Sequence, residues 1–221
     1  MSRSNIPVYG VFFGAILSVT LLFPTETTGQ DKPMHESSVS LLKQRVQENA
    51  RSTNTIACDF TQEKVLSMIS EKISSGGRFY LKKEKMLRWE YTLPFSYVII
   101  INNDRIAIRD ENKVNRFNLQ SNKVFLEISR IIQGSIQGTL LNDEEHFKVS
   151  CFENPANWVV RLKPVDPKLK ETLSEIVIRL NRKDYTVDRV EMHEPGGDFT
   201  SIVFTAKKLN QPIPDENFSV N

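Results

Sequence analysis

The chain has few of the residues that do chemistry. Its 221 residues include 2 Cys and 3 His. His35, His146 and His193 lie far apart, none has a second His at ligand spacing, and the two Cys are far apart too, so the pattern of a metal site is missing. There is no Gly-x-Ser-x-Gly elbow, phosphate-binding glycine loop or dinucleotide fingerprint. The segment Gly134-Ser135-Ile136-Gln137-Gly138 has the wrong spacing for a nucleophile elbow. Glu144-Glu145 reads as a solvated loop rather than an acid/base pair. No catalytic residue, cofactor or metal is expected, and the chain is not expected to be an enzyme.

An excess of charge of one sign is missing too. The 29 Lys and Arg against 27 Asp and Glu leave a net +2. Nucleic-acid binding, which needs clustered positive charge, is thereby excluded. Glycine is scarce at 9 residues, while Phe reaches 13, a composition that suits a packed domain and not a fibrous or disordered chain. Long apolar runs are absent except at the start. Arg3 precedes an uncharged stretch ending at Phe23, and Thr27-Thr28-Gly29 offers small residues for cleavage before Gln30. Residues 1–29 therefore read as a signal peptide for export. The alternative is an uncleaved anchor, for which 6–23 is at the lower length limit and is interrupted by Pro7 and glycine. Residues 30–221 then form a single domain. No Cys sits beside the cleavage region, so the chain does not read as a lipoprotein itself.

Export would put Cys58 and Cys151 in a disulfide-permissive compartment. Cys58 alternates with Ile56 and Phe60, and Cys151 with Phe147 and Val149, so both face the apolar side of a strand. A bridge needs their Cα atoms within about 7 Å. Two separate core thiols is the preferred reading.

What the chain does have is alternation. Over 76–94, Phe79 and Leu81 point opposite to Arg78 and Tyr80, and Leu87, Trp89 and Tyr91 opposite to Met86, Arg88 and Glu90. This is a hairpin with one apolar and one charged face, and Arg88 and Glu90 read as an outward surface pair of little energetic weight. Residues 30–36 are polar and read as loose. Helical spacing predicts a helix over 37–50, with Val39, Leu41, Leu42 and Val46 as its stripe and Ser37 or Ser38 as its cap. Strands are expected over 55–66, 73–82, 86–92, 96–102, 105–110, 113–118, 147–152, 158–164, 173–181, 187–193 and 199–209, with short turns such as Asn102-Asn103-Asp104 between them. One interruption, 121–141, places Phe125, Ile128, Ile131, Ile132 and Ile136 at helical intervals, with Gly134 and Gly138 as breaks. The fold class is α+β, mainly β: about eleven antiparallel strands in meander order with an N-terminal helix and a helical insertion.

The motifs carry a resemblance. Asp59-Phe60-Thr61-Gln62-Glu63-Lys64, the Gly76-Gly77-Arg78-Phe79 strand start, Arg88-Trp89, and the ending Leu209-Asn210-Gln211-Pro212-Ile213-Pro214-Asp215-Glu216-Asn217-Phe218 together resemble the LolA family, periplasmic carriers of outer-membrane lipoproteins. The resemblance spans the chain after the leader. It implies an incomplete, strongly curved antiparallel β-barrel, a helical lid and an apolar cavity between them. Periodicity alone fits an ordinary helix-on-sheet core; the resemblance instead assigns an acyl-chain cavity. Its wall would be Ile56, Phe60, Phe79, Leu87, Trp89 and Ile101, and its lid face Phe125, Ile128, Ile131 and Ile132.

The family's lid-clasping arginine aligns, through Gly77 and Trp89, with Lys83, followed by Glu84 where proline is usual. Lysine is a point charge without the planar fork, so the clasp would be weaker. The implied partners are lipoprotein acyl chains or another lipid, an inner-membrane release transporter and an outer-membrane acceptor, with the carrier itself a monomer. A carrier of another acylated or polyene lipid, or a lipid-sensing module of envelope stress, are the alternatives.

Overall fold

A strand whose every second residue is apolar can bury only one face, so a run of such strands must curl to enclose what it buries. The computed structural model describes residues 29–69, 71–83, 85–110, 113–118, 134 and 138–219, and there the chain does this. Helix α1 (Glu36–Ser52) separates the two-residue strand β1 (Lys32–Pro33) from β2 (Thr55–Leu66). A meander follows: β3 (Glu71–Lys82), β4 (Met86–Leu93), β5 (Tyr97–Asn102), β6 (Arg105–Asp110) and β7 (Lys113–Asn118). The second run is β8 (Phe147–Glu153), β9 (Asn157–Pro164), β10 (Glu175–Asn181), β11 (Val187–His193) and β12 (Phe199–Leu209), with one helical turn, α2 (Pro167–Lys170), between β9 and β10.

All strands belong to one antiparallel sheet in the order β1-β8-β9-β10-β11-β12-β2-β3-β4-β5-β6-β7. The β12–β2 pairing welds the two meanders, with Phe204 opposite Phe60. Its outer strands, β1 and β7, do not pair with one another, so the barrel is open.

Expected and observed elements agree closely, with three differences. The 30–36 segment is not loose. Lys32 and Pro33 pair with Glu153 and Phe152, and the Asp31 carboxylate meets Arg161 at 3.3 Å and Arg179 at 3.5 Å while accepting from Asn154 Nδ2 at 2.8 Å. Polarity suggested a free tail; charge pairing holds it instead. The cap of α1 is His35, whose Nδ1 accepts from the Ser37 amide, and not Ser37 or Ser38. Leu41 is 52% exposed while Leu42 and Val46 are buried, because a residue one step from Leu42 is turned by about 100° around the helix.

The expected helical insertion and lid lie outside the described residues except for their end. There a 3-10 turn, Thr139–Asn142, buries Leu140 and Leu141. Gly138 begins it at φ +68°, and a Cβ there would stand 2.7 Å from Val46 Cγ1, so only glycine lets the turn rest on α1. On the outer face the C-terminal segment folds back over β5, burying Ile213 and Phe218 against Val98 and Ile100.

Candidate functional site

The concave face is covered differently at its two ends. On β8–β10, Leu42 and Val46 of α1 together with Leu140 and Leu141 pack onto Phe147, Val160, Leu162, Ile176, Ile178 and Leu180. That half is filled. On β2–β6 the inward side chains form a second cluster, Cys58, Phe60, Phe79, Leu87, Trp89, Ile101, Ile106 and, from β12, Ile202. A cavity of about 350 Å³ lies over part of this wall, within the size range of small-ligand sites.

The wall is aromatic. Trp89 meets Phe60 and Phe79 edge-on at 5.0 and 5.3 Å between ring centroids, and Phe204 at 6.2 Å. Tyr91 meets Phe60 at 5.1 Å. Gly77 makes this last contact possible. It stands in register between Phe60 on β2 and Tyr91 on β4. A Cβ at Gly77 would fall 1.8 Å from the Glu90 carbonyl oxygen, so no other residue fits. Trp89 and Tyr91 therefore close over Phe60.

Of the wall residues expected from sequence, Ile56, Phe79, Leu87, Trp89 and Ile101 line the cavity. Phe60 does not reach it; at 2% exposure it is the backing beneath Trp89 and Tyr91. Phe125, Ile128, Ile131 and Ile132 lie outside the described residues. The opposite side of the cavity comes from Val46, Asn49 and Thr53 at the end of α1 and from Tyr185, Val187, Val190, Met192, Ile202, Phe204 and Leu209. These second-meander residues were not singled out from sequence. Their alternation was legible, but only the β12–β2 weld brings them opposite Trp89.

Few polar groups enter. Tyr91 Oη donates to Gln62 Oε1 at 3.0 Å, and burial pushes the Tyr91 phenol above its ordinary value. Lys207 arrives through a β-bulge. The β12–β2 register breaks between Thr205 and Lys208, with Ala206 at φ +50°. Alternation from Phe204 would send Lys207 outward; the extra residue turns it in. Its ammonium donates to Thr186 Oγ1 at 2.6 Å and Val187 O at 3.3 Å and pairs with Asp188.

Cys58 lines the cavity as an inert thiol, because burial pushes its pKa up to about 12. Cys58 and Cys151 are both free and sit in different clusters. Among the described residues no group of three or more His, Cys, Asp or Glu converges as metal ligands, and no helix is long and apolar enough to cross a membrane.

The β3–β4 turn reaches α1. Lys83 Nζ donates to the Arg51 carbonyl at 2.6 Å and Lys83 N to the Asn54 carbonyl at 2.8 Å. A cation is thus placed on the carbonyl end of the helix, where its dipole is negative. Lys82, one residue back, pairs with Asp215 of the C-terminal segment. Arg88 and Glu90 pair on the outer face as expected, but they are not an exposed surface pair. They meet at 3.0 Å, are only 15% and 22% exposed, and Arg88 also donates to the Asn217 carbonyl. The Arg88 hydrogen bond holds the Glu90 carboxyl below its ordinary value. The C-terminal segment is what covers them.

Comparison with known proteins agrees with this geometry. The family model described as outer membrane lipoprotein carrier protein LolA matches residues 51–221. An outer-membrane lipoprotein carrier protein of Chromobacterium violaceum is 24% identical over 209 residues, covering 90% of this chain and 92% of the relative. Among solved structures, an uncharacterized conserved protein from Thermus thermophilus superposes with a TM-score of 0.52 at 10% identity, covering 83% of this chain and 94% of that one. A LolA superfamily protein from Nitrosomonas europaea superposes with a TM-score of 0.43 at 10% identity, over 82% and 97% of the two chains.

Proposed function

The chain belongs to the LolA family of outer membrane lipoprotein carrier proteins, and on that premise we propose that its cavity takes lipoprotein acyl chains and carries them through the periplasm from inner to outer membrane. The observation that carries this reading is the aromatic wall of β2–β4 facing about 350 Å³ of space where the other half of the same sheet is filled. Each methylene that enters gains about 0.8 kcal/mol from leaving water. Residues 1–29 export the chain, an inner-membrane release transporter loads it and an outer-membrane acceptor unloads it, the carrier acting as a monomer.

Reversible loading needs a closure that opens at little cost. Lys83 serves as that clasp: it holds the turn of the β3–β4 wall to the end of α1, whose Val46, Asn49 and Thr53 form the facing side. A single hydrogen bond of this kind is worth about 0.5–1.5 kcal/mol, small against the gain from an acyl chain. Phe125, Ile128, Ile131 and Ile132 supply the lid.

A second reading, a carrier of another acylated lipid, is favoured by Lys207, a cation that the bulge brings to a mostly apolar cavity. Native mass spectrometry of residues 30–221 purified from a bacterial periplasm tests both. Triacylated polypeptide retained on the protein supports the first and a polar-headed lipid the second. Recovery of neither, with no saturable binding of a fluorescent fatty acid, contradicts both.

A further inference from the structure

The two ends of the sheet differ in polarity. Register places the β2–β3 turn, the β11–β12 turn and the end of β9 at one end of the sheet, since Val65 and His193 both face Phe199, Glu175 faces His193 and Leu162 faces Ile176. The β4–β5 turn lies at the same end but lower, because Leu93 faces Gly76, which pairs with Thr61 and not with Val65. At this end stand Met68 (94% exposed), Ile69 (62%), Ile73 (49%), Leu93 (66%), Phe95 (74%) and Val165 (41%). Of the exposed large apolar side chains among the described residues, all but Leu41 are here. At the opposite end the turns carry Lys83 and Lys85, Asn103 and Asp104, and Arg182, Lys183 and Asp184. Ordinary turns resemble the second set. Six exposed large hydrophobics at the first end, with Met68, Ile69, Phe95 and Val165 in its turns and Ile73 and Leu93 on the adjoining strands, form an asymmetry that solubility would remove.

We infer that this end inserts into a lipid bilayer surface. The apolar residues are distributed over separate turns and the strand ends beside them. Beyond Gly76, residues Glu71–Ser75 of β3 have no β4 partner, so the β2–β3 hairpin projects past its neighbour. A protein partner would have to match several separated knobs at different heights, whereas a fluid bilayer conforms to an uneven rim and admits the leading side chains about 5–10 Å deep. The rim charges are of both signs, with Lys72, Lys163 and Lys168 exposed beside Glu71 and Glu171, which complements zwitterionic headgroups and not a purely anionic surface. The cavity lies on the same axis. Its Gln62 and Tyr91 lining is about four residues, or roughly 13 Å, short of the end of β2 at Leu66. Contact with a bilayer goes beyond the carrier reading, because a carrier can load and unload entirely on proteins.

The test is flotation of residues 30–221, which hold every described element, with phosphatidylcholine vesicles with and without phosphatidylglycerol. The protein floats with both, within about twofold of one another, and moderate salt does not release it. The variant Met68→Ser/Ile69→Ser/Phe95→Ser loses at least about tenfold in partitioning, while still binding a fluorescent fatty acid and melting as the parent does. Ile99→Trp, which fills the cavity, still floats, so a failed carrier reading and a failed membrane reading are told apart. Absence of flotation, flotation of the triple variant like the parent, or binding only to anionic vesicles at low salt overturns the inference. So does loss of a protein acceptor by the triple variant when neither protein floats.

Discussion

The β8–β10 and β2–β6 parts of the sheet alternate the same way, but they are covered differently. Over the first, α1 and the Thr139–Asn142 turn bring Leu42, Val46, Leu140 and Leu141 down onto Val160, Leu162, Ile176 and Ile178. Over the second, Trp89, Leu87, Phe79 and Ile101 face space. A filled concave face supplies stability; an unfilled one offers binding. One sheet thus divides the two tasks between its ends, and a substitution should be felt as one or the other according to the half it falls in.

The largest effect that would break this division is in the filled half. Leu162→Ala should cost about 2–5 kcal/mol, read as a lower midpoint in urea unfolding, while the folded fraction binds fluorescent fatty acid within about twofold of the parent. A comparable loss of affinity would mean that the halves are not separate. Next comes overfilling. Ile99→Trp, at the cavity, should lower affinity more than about tenfold and change stability by less than about 1.5 kcal/mol. Val160→Trp has no space to enter and should unfold the chain or destabilise it by about 3 kcal/mol or more; near-circular-dichroism melting of the pair reads the contrast.

A smaller effect concerns the joint between wall and helix. Lys83→Leu should cost about 1 kcal/mol or less in stability, yet speed release of bound lipid several-fold in stopped-flow displacement. An unchanged release rate would make Lys83 a turn residue only. The smallest effect belongs to β1. Burial pushes the Asp31 carboxyl up, but the Asn154 hydrogen bond and the charges of Arg179 and Arg161 outweigh it and hold the group below its ordinary 3.8. The fold therefore favours the ionised form. Its contribution is complete above about 3.8 and is lost as pH falls through the lower folded value. Asp31→Asn should flatten that part of the acid unfolding curve and leave fatty-acid affinity unchanged.

Most of the architecture was legible in sequence because period-two alternation is a local signal. The hairpin over 76–94, the turn at Asn103-Asp104 and the α1 stripe through Val39, Leu42 and Val46 need no distant information. The two-residue β1 was not legible, since its place depends on Asp31 meeting Arg161 and Arg179, far away in sequence. The inward direction of Lys207 was hidden for another reason: an inserted residue reverses alternation, and Ala206 gives no glycine signal for the bulge. Phe60 was placed in the wall by its alternation, but depth behind Trp89 and Tyr91 follows from the missing side chain of Gly77. The burial of Arg88 and Glu90 depends on a C-terminal segment whose return path no local pattern encodes.

The central claim is that the β2–β6 half is unfilled in order to bind lipid. It is tested most directly by titrating a fluorescent fatty acid into residues 30–221 and into Ile99→Trp. Saturable binding by the parent, at one site, with loss of at least about tenfold in the variant is the predicted result. No saturable binding by the parent, or equal binding by both, would contradict it.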